Sequence, residues 1–418
     1  MTTRTAHSRV DSARALKGPL SICKALLASA VLLQKIGAYG IAANTVIVCA
    51  MPLVWFATTY TKVVAERLIA FAFFGAIVAL GLAVSTSGSL SPPSALLILA
   101  SQSSLVFRFT LTSDERDELL NFYRNLVVVV AAIGVAQFFA QFLLDRQIAF
   151  FVDFFLPDSI RLEGFNNINP LFYSSPIIKS NGVFFAEPSF FSQFLSVGLI
   201  AEFLLGPKLW RAAAICAGLF VSYSGTGLLT LAIVLPILVI GRSQPRVLLI
   251  LSVIGGTIIV ARDFLPFDVF GARLGEFSDQ NSSGYARFVS PITLLDSYVF
   301  QTFRDVVIGR GPGSINEHMH ESLYFDPTWA KLLYEYGILG SGIYIAFFLI
   351  CMRGGEPLIA IALSATYFLM GGYLGDGNVI IQLGIIHAWT GQFGIKKRLV
   401  RRGVESALYP YESLRSSS

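Results

Sequence analysis

The chain has 418 residues, of which 54% are hydrophobic and only 14% charged, and its mean hydropathy is +0.66. That balance excludes an ordinary soluble domain. The net charge of +5 does not mark a nucleic-acid partner, because the basic residues cluster at the ends of apolar segments, where membrane orientation accounts for them.

Apolar runs of about 17–25 residues are what a hydrocarbon core of roughly 30 Å requires. They recur along nearly the whole chain and are continuous rather than alternating, which argues against a β-barrel. The basic arm Arg4–Lys17 leads into the first run and reads as the flank of an uncleaved first helix. In chain order, about twelve spans are predicted. They lie at 19–35, 38–58, 68–86, 93–109, 126–144, 189–206, 209–224, 226–241, 247–262, 329–351, 357–374 and 378–394. The first pair shares a very short turn, Lys35–Gly40, and a second close pair meets at Ser224–Gly227. The expected architecture is one all-α, polytopic membrane domain over 1–418. Cys23, Cys49, Cys216 and Cys351 all fall inside apolar runs, so neither a disulfide framework nor a metal-ligand spacing is indicated.

Orientation follows from Lys and Arg. Arg4, Arg9, Arg14 and Lys17 precede the first span. Alternate connections then carry Lys62 and Arg67, Arg108 to Arg124, Lys208 and Arg211, Arg242 and Arg246, Arg353, and Lys396 to Arg402. Both termini are therefore expected in the cytoplasm. Two long loops, 146–188 and 262–328, are expected on the outer, periplasmic side of a bacterial inner membrane. The cluster Asp114–Glu118 reads as a solvated cytoplasmic helix between spans. The run Phe150, Phe151, Phe154, Phe155 with Asp153 and Asp158 reads as a short interfacial helix on the outer surface or, equally, as a buried loop helix. The tail 395–418 is basic and then Ser-rich, a composition expected to be disordered.

The first loop ends in Lys179-Ser-Asn-Gly182-Val-Phe184-Phe185-Ala-Glu187-Pro188-Ser189. Pro188 suits a helix start, and Glu187 then sits at the positive end of a helix dipole. An ionisable group at a membrane mouth is a functional candidate. In the second loop, Gly309, Gly311 and Gly313 flank Arg310, and His318 and His320 follow. Glycines at this density permit close backbone approach to a ligand, but they match neither a P-loop nor a dinucleotide fingerprint. A neutral imidazole is suited to taking a proton from a sugar hydroxyl. Arginines hold phosphate oxygens bidentately, and Arg161, Arg273, Arg287, Arg304 and Arg310 all fall in the two loops. Arg273 and Gly284 stand in Arg-x10-Gly spacing. The spans are poor in charge, with Glu202 the main exception. No Asp-x-Asp pair offers itself to Mg²⁺ or Mn²⁺ in the outer loops.

Taken in order, these motifs resemble the Wzy-type polysaccharide polymerase and O-antigen ligase superfamily. Gly182, Phe185, Glu187, Pro188 and Ser189 match its Phe-x-Glu-Pro-Ser element, with Lys179 where the family has arginine. Ser222 to Gly227 match its Ser-x-Thr-Gly-like element. Gly311 and Gly313, His318 or His320, and Leu333-Tyr-Glu335-Tyr-Gly337-Ile-Leu-Gly340 match the end of its second outer loop. The resemblance implies a membrane glycosyltransferase that needs no metal or other cofactor. Its substrate would be an undecaprenyl-diphosphate-linked oligosaccharide, transferred to an acceptor sugar hydroxyl to build exopolysaccharide or O-antigen. Glu187, His318 and His320 become the catalytic candidates. Arg161, Lys179, Arg273, Arg287 and Arg310 become the diphosphate- and glycan-binding ones. Membrane lipid, a chain-length regulator and a flippase are the partners implied, and nucleic acid is not. The nearest alternative is a ligase that transfers finished glycan to lipid A core. A transporter or flippase for lipid-linked sugar is a different class, disfavoured by spans with so few ionisable groups.

Overall fold

Short side chains and apolar periodicity decide where the helices stop. The first span ends at Leu32, three residues early. A two-stranded ribbon follows, with β1 (Gly37–Ala38) paired to β2 (Ile41–Ala42). Its turn residues Tyr39 and Gly40 both have positive φ, as the tight hairpin turn requires. The fourth span stops at Ser103, because Ser101, Ser103 and Ser104 turn their hydroxyls back onto the preceding carbonyls. The chain then pairs β3 (Thr61–Val63) with β4 (Phe107–Phe109).

The computed structural model describes residues 18–58, 60–84, 91–171, 175–242, 245–260, 278, 280, 282–318, 327–369 and 374–390. Its helices are α1 (Gly18–Leu32), α2 (Ala43–Phe56), α3 (Ala65–Val84), α4 (Pro92–Ser103) and α5 (Ser113–Leu143). Two short ones follow in the first loop, α6 (Arg146–Ala149) and α7 (Phe151–Phe155). Then come α8 (Pro188–Leu204), α9 (Leu209–Ser222), α10 (Gly225–Arg242) and α11 (Pro245–Val260). The second loop holds α12 (Ser283–Phe288), α13 (Ser290–Tyr298) and α14 (Phe303–Ile308). The last are α15 (Thr328–Cys351), α16 (Pro357–Leu369) and α17 (Gly377–Leu383), which continues as a π turn over Gly384–Ala388.

A helix lies in each predicted span. By length and composition, α3, α5 and α15 are long and apolar enough to cross a membrane, and most of the others are shorter apolar helices. Only 22% of the apolar window of α3 and 39% of that of α5 is buried. Their outward residues include Ile69 and Phe73 on α3, and Val129, Phe139 and Leu143 on α5. Such continuous apolar faces call for a nonaqueous surround. The charge cluster Asp114–Glu118 is no separate connector. It opens α5 through a capping box, in which the Thr112 hydroxyl accepts from Glu115 N and the Glu115 carboxylate accepts from Thr112 N.

Helix α8 is the core. All of its residues are buried, against α5, α9, α10 and α16. Hydroxyls replace bulk where the backbones come closest. Ser192 Oγ faces Thr226 Oγ1 at 3.1 Å, and Ser196 Oγ donates to Gly227 O at 2.8 Å. The only charge on α8, Glu202, is met by Arg124 at 2.7 Å and Arg211 at 3.0 Å. A carboxylate buried there requires such partners.

Candidate active site

The chain before α8 is shaped by an unusual turn. Gly182 and Val183 both lie at positive φ, +63° and +68°. For a β-branched residue this is a strained conformation. The turn is held by α5: the Gln137 side chain accepts from Val183 N at 3.1 Å and from Ser180 Oγ at 2.8 Å. A Cβ at Gly182 would collide with the Phe191 ring, so the turn lies directly on α8. The geometry delivers Glu187 to the N-cap of α8, with Pro188 at the first helical position.

Glu187 is 6% exposed. Its Oε1 accepts from Asn166 N at 3.1 Å, and its Oε2 accepts from Ser189 Oγ at 2.8 Å. Arg287, from α12 in the second loop and 7% exposed, brings Nη2 to 3.6 Å from Oε2. This is an ion pair longer than a hydrogen bond. The two long loops therefore meet at the head of α8. The Ser222–Gly227 element joins the same place, since Thr226 Oγ1 donates to Ser189 O at 3.3 Å and contacts Ser224 Oγ at 3.0 Å.

A second polar centre adjoins the first through the end of α1. Gln34 accepts from Ala186 N at 3.0 Å, and Lys35 O accepts from Leu162 N at 2.8 Å. The Lys35 ammonium makes a short, buried ion pair with Asp153 on α7. Asp153 also accepts from Asn181 Nδ2 at 3.0 Å. Burial pushes the Asp153 carboxyl above its ordinary range, while Lys35 pulls the other way. The helix shares features of both readings, surface and buried: Phe150 and Asp153 are buried, and Phe151 and Phe155 are exposed. The cause is the Lys35 charge, which draws Asp153 inward. Replacing Lys35 by Met strands Asp153 and is expected to cost about 3–5 kcal/mol. Thermal unfolding in detergent reads this out, with recovery expected in Lys35→Met/Asp153→Asn. An unchanged midpoint in the single variant would contradict it.

The other sequence candidates are placed as follows. Arg161 pairs with Asp158 at 2.9 Å and donates to Leu156 O at 2.6 Å, so much of its guanidinium is committed within the first loop. Lys179 is half-buried, and its backbone N donates to Asn169 O at 2.8 Å. Arg310 lies over the rings of Tyr298 and Tyr334, 5.5 and 5.8 Å from their centroids, with Glu317 at 4.0 Å. Arg310 N and Gly311 N donate to Tyr334 O and Glu335 O, which locks the glycine-rich turn onto α15. Gly337 makes that contact possible. Its φ of +63° kinks α15, and a Cβ there would strike the Val307 carbonyl and Gly309 N. Arg304 pairs with Asp305 at 3.3 Å. The backbone of His318 closes a 3-10 turn, Ser314–His318, directly after Glu317. Arg273 and His320 lie outside the described residues. Sequence reading met Lys35 only as a turn residue and Asp153 only as part of a short loop helix, and it did not reach Asn166 or Gln137.

Apolar outward faces on long helices define a helical membrane protein, and a buried carboxylate–guanidinium pair sits at one of its helix starts. A model of the WcaD colanic acid polymerase family matches residues 22–328, more than half of the chain, and the chain belongs to that family. Membership agrees with the Wzy-type polysaccharide polymerase resemblance of the motifs, and it points to a glycosyltransferase-type enzyme of exopolysaccharide repeat-unit polymerisation. No curated protein and no solved structure matches the chain.

Proposed function

We propose that the chain polymerises undecaprenyl-diphosphate-linked oligosaccharide repeat units into exopolysaccharide at the periplasmic face of the inner membrane, without a metal. The meeting of Glu187 with Arg287 carries this reading, because it sets a hydrogen-bond acceptor for a sugar hydroxyl beside a cation for a diphosphate. The acceptor hydroxyl attacks the anomeric carbon of the lipid-linked glycan. The bond from that carbon to the diphosphate oxygen breaks, and undecaprenyl diphosphate departs with the electron pair. The hydroxyl proton passes to Glu187, His318 or His320.

A carboxylate has about four lone-pair sites. Three neighbours already face Glu187, namely Asn166 N, Ser189 Oγ and Arg287. That occupancy favours Glu187 as the group that orients the hydroxyl and a histidine as the base. Arg287 and Arg310 neutralise the departing diphosphate, assisted by Arg161, Lys179 and Arg273. Guanidinium geometry suits this role, and preorganised charge supplies most of the rate in such a site.

Purified protein in lipid, given a lipid-diphosphate-linked oligosaccharide, is expected to yield a ladder of longer glycans. Single transfers to a lipid A core acceptor would support the ligase instead, and translocation without bond formation a flippase. The family match supports the polymerase over both. The periplasmic assignment rests on the alternation of Lys and Arg. Reporter fusions after Asp117 are expected to behave as cytoplasmic and those after Asp279 as periplasmic; the reverse pattern would move the site to the other face.

A further inference from the structure

The β3–β4 ribbon places two cations where sheet physics disfavours them. Lys62 and Arg108 are direct cross-strand partners in its register. Like charges directly opposite one another destabilise a strand pair. A third cation adds to the cost. Arg116, in the first turn of α5, is anchored by donating from Nε to Thr112 O at 3.3 Å and from Nη2 to Leu111 O at 3.2 Å, and it feels Arg108 as a repelling charge. Buried Arg67 feels Arg108 in the same way.

The three outer cations line one open cleft of about 590 Å³, with Thr110 and Thr112 between them. Of the nearby acids, Glu115 is held in the capping box with Thr112, and Asp117 attracts Arg116. Arg116 is held by backbone anchors, and the ribbon's register fixes the strand positions of Lys62 and Arg108 beside it, so the three cations are grouped at one cavity.

We propose that this cleft, at the β3–β4 ribbon and distinct from the Glu187 centre, binds a phosphate-bearing anion, carried either on a lipid headgroup or free in solution. Two arginines and a lysine lining one cavity suit phosphate oxygens, and an anion there would relieve the Lys62–Arg108 repulsion. The site stands independently of the polymerase reading.

The test uses full-length protein in nanodiscs of phosphatidylcholine, with phosphatidylglycerol or inorganic phosphate as the added probe. Native mass spectrometry reads retained lipid, and a titrated unfolding midpoint reads phosphate. Wild type is expected to bind a probe saturably. Lys62→Gln and Arg108→Gln are each expected to weaken that binding about tenfold. Lys24→Gln, a charge outside the cleft, is expected to leave it unchanged. Selective binding of phosphatidylglycerol assigns a lipid headgroup, selective binding of phosphate assigns a soluble anion, and binding of both supports the shared chemistry. Without either probe, Arg108→Gln is expected to be at least as stable as wild type, since it removes the repulsion. The proposal is overturned if neither probe binds, if the cleft variants bind as well as wild type, or if Arg108→Gln is the less stable protein in the absence of anion.

Discussion

Glu187→Gln is expected to abolish polymer while the protein still inserts and binds its lipid-linked substrate. The change is nearly isosteric. The amide oxygen still accepts from Asn166 N, and the amide nitrogen still reaches Ser189 Oγ, so the head of α8 keeps both of its local contacts. What disappears is the negative charge that faces Arg287 and the second acceptor that a sugar hydroxyl needs. If Glu187 takes or steers the hydroxyl proton, turnover falls roughly 10²–10⁴-fold. Arg287→Lys is expected to be nearly as damaging although it keeps the charge, because a point ammonium cannot bridge carboxylate and diphosphate together as a planar guanidinium can. Glycan ladders from membranes matched for protein level measure both, and unfolding midpoints separate lost chemistry from lost fold. Full-length polymer from a variant carrying Glu187→Gln, His318→Ala and His320→Ala together would remove the basis of the mechanism.

Arg67→Leu is expected to be the most destabilising single change in the bundle. This guanidinium is 4% exposed and serves four backbone carbonyls: Leu105 at 3.0 Å, Phe107 at 3.1 Å, Ala388 at 2.8 Å and Cys351 at 3.2 Å. Those carbonyls belong to four elements: the 3-10 turn after α4, the start of strand β4, the end of the π turn after α17, and the end of α15. Helix ends leave carbonyls without intrahelical partners, and a cation is the natural cap for them. Trp389 depends on the same junction. Its Nε1 donates to Ser104 O at 2.9 Å, and its ring meets Trp55 edge-on at 4.9 Å. Leucine fills the space but leaves buried acceptors without donors, at about 1–3 kcal/mol each and less than additively. A total loss of about 4 kcal/mol is therefore expected. Arg67→Lys is expected to recover part of it, since one ammonium has three donors and no fork. Unfolding followed in detergent measures the ranking; equal midpoints for wild type and Arg67→Leu would refute the clamp.

Local patterns in the chain carried much of the architecture. Apolar runs marked where helices lie, and Pro188 after Glu187 marked the start of α8. Glu202 stood out as the charge inside a span that would need partners, and the structure supplies Arg124 and Arg211. Pairings across long separations were not legible. Lys35 and Asp153 lie 118 residues apart, and nothing in the periodicity of either segment encodes their meeting. Arg67 read as an orientation signal at a span end, yet it is buried among carbonyls contributed by regions up to residue 388. The pairing of Arg161 with Asp158, three positions away, lay within reach of sequence spacing, whereas its bond to Leu156 O did not. Helix ends shifted because serine hydroxyls and a tight hairpin compete with helical hydrogen bonding, an effect that hydropathy does not measure.

Helix α8 carries a charged anchor at each end, Glu187 with Arg287 at its head and Glu202 with Arg124 and Arg211 at its foot. The anchors are fifteen residues apart, which is ~22 Å along an α-helix. Between them the helix is encased and has no free face. It behaves as a strut of fixed length whose foot sets the height of its head. Under the proposed reaction, the depth at which Glu187 would meet an incoming sugar is governed from the far end of the rod, so loosening Glu202 is expected to mis-seat the head without altering any residue there.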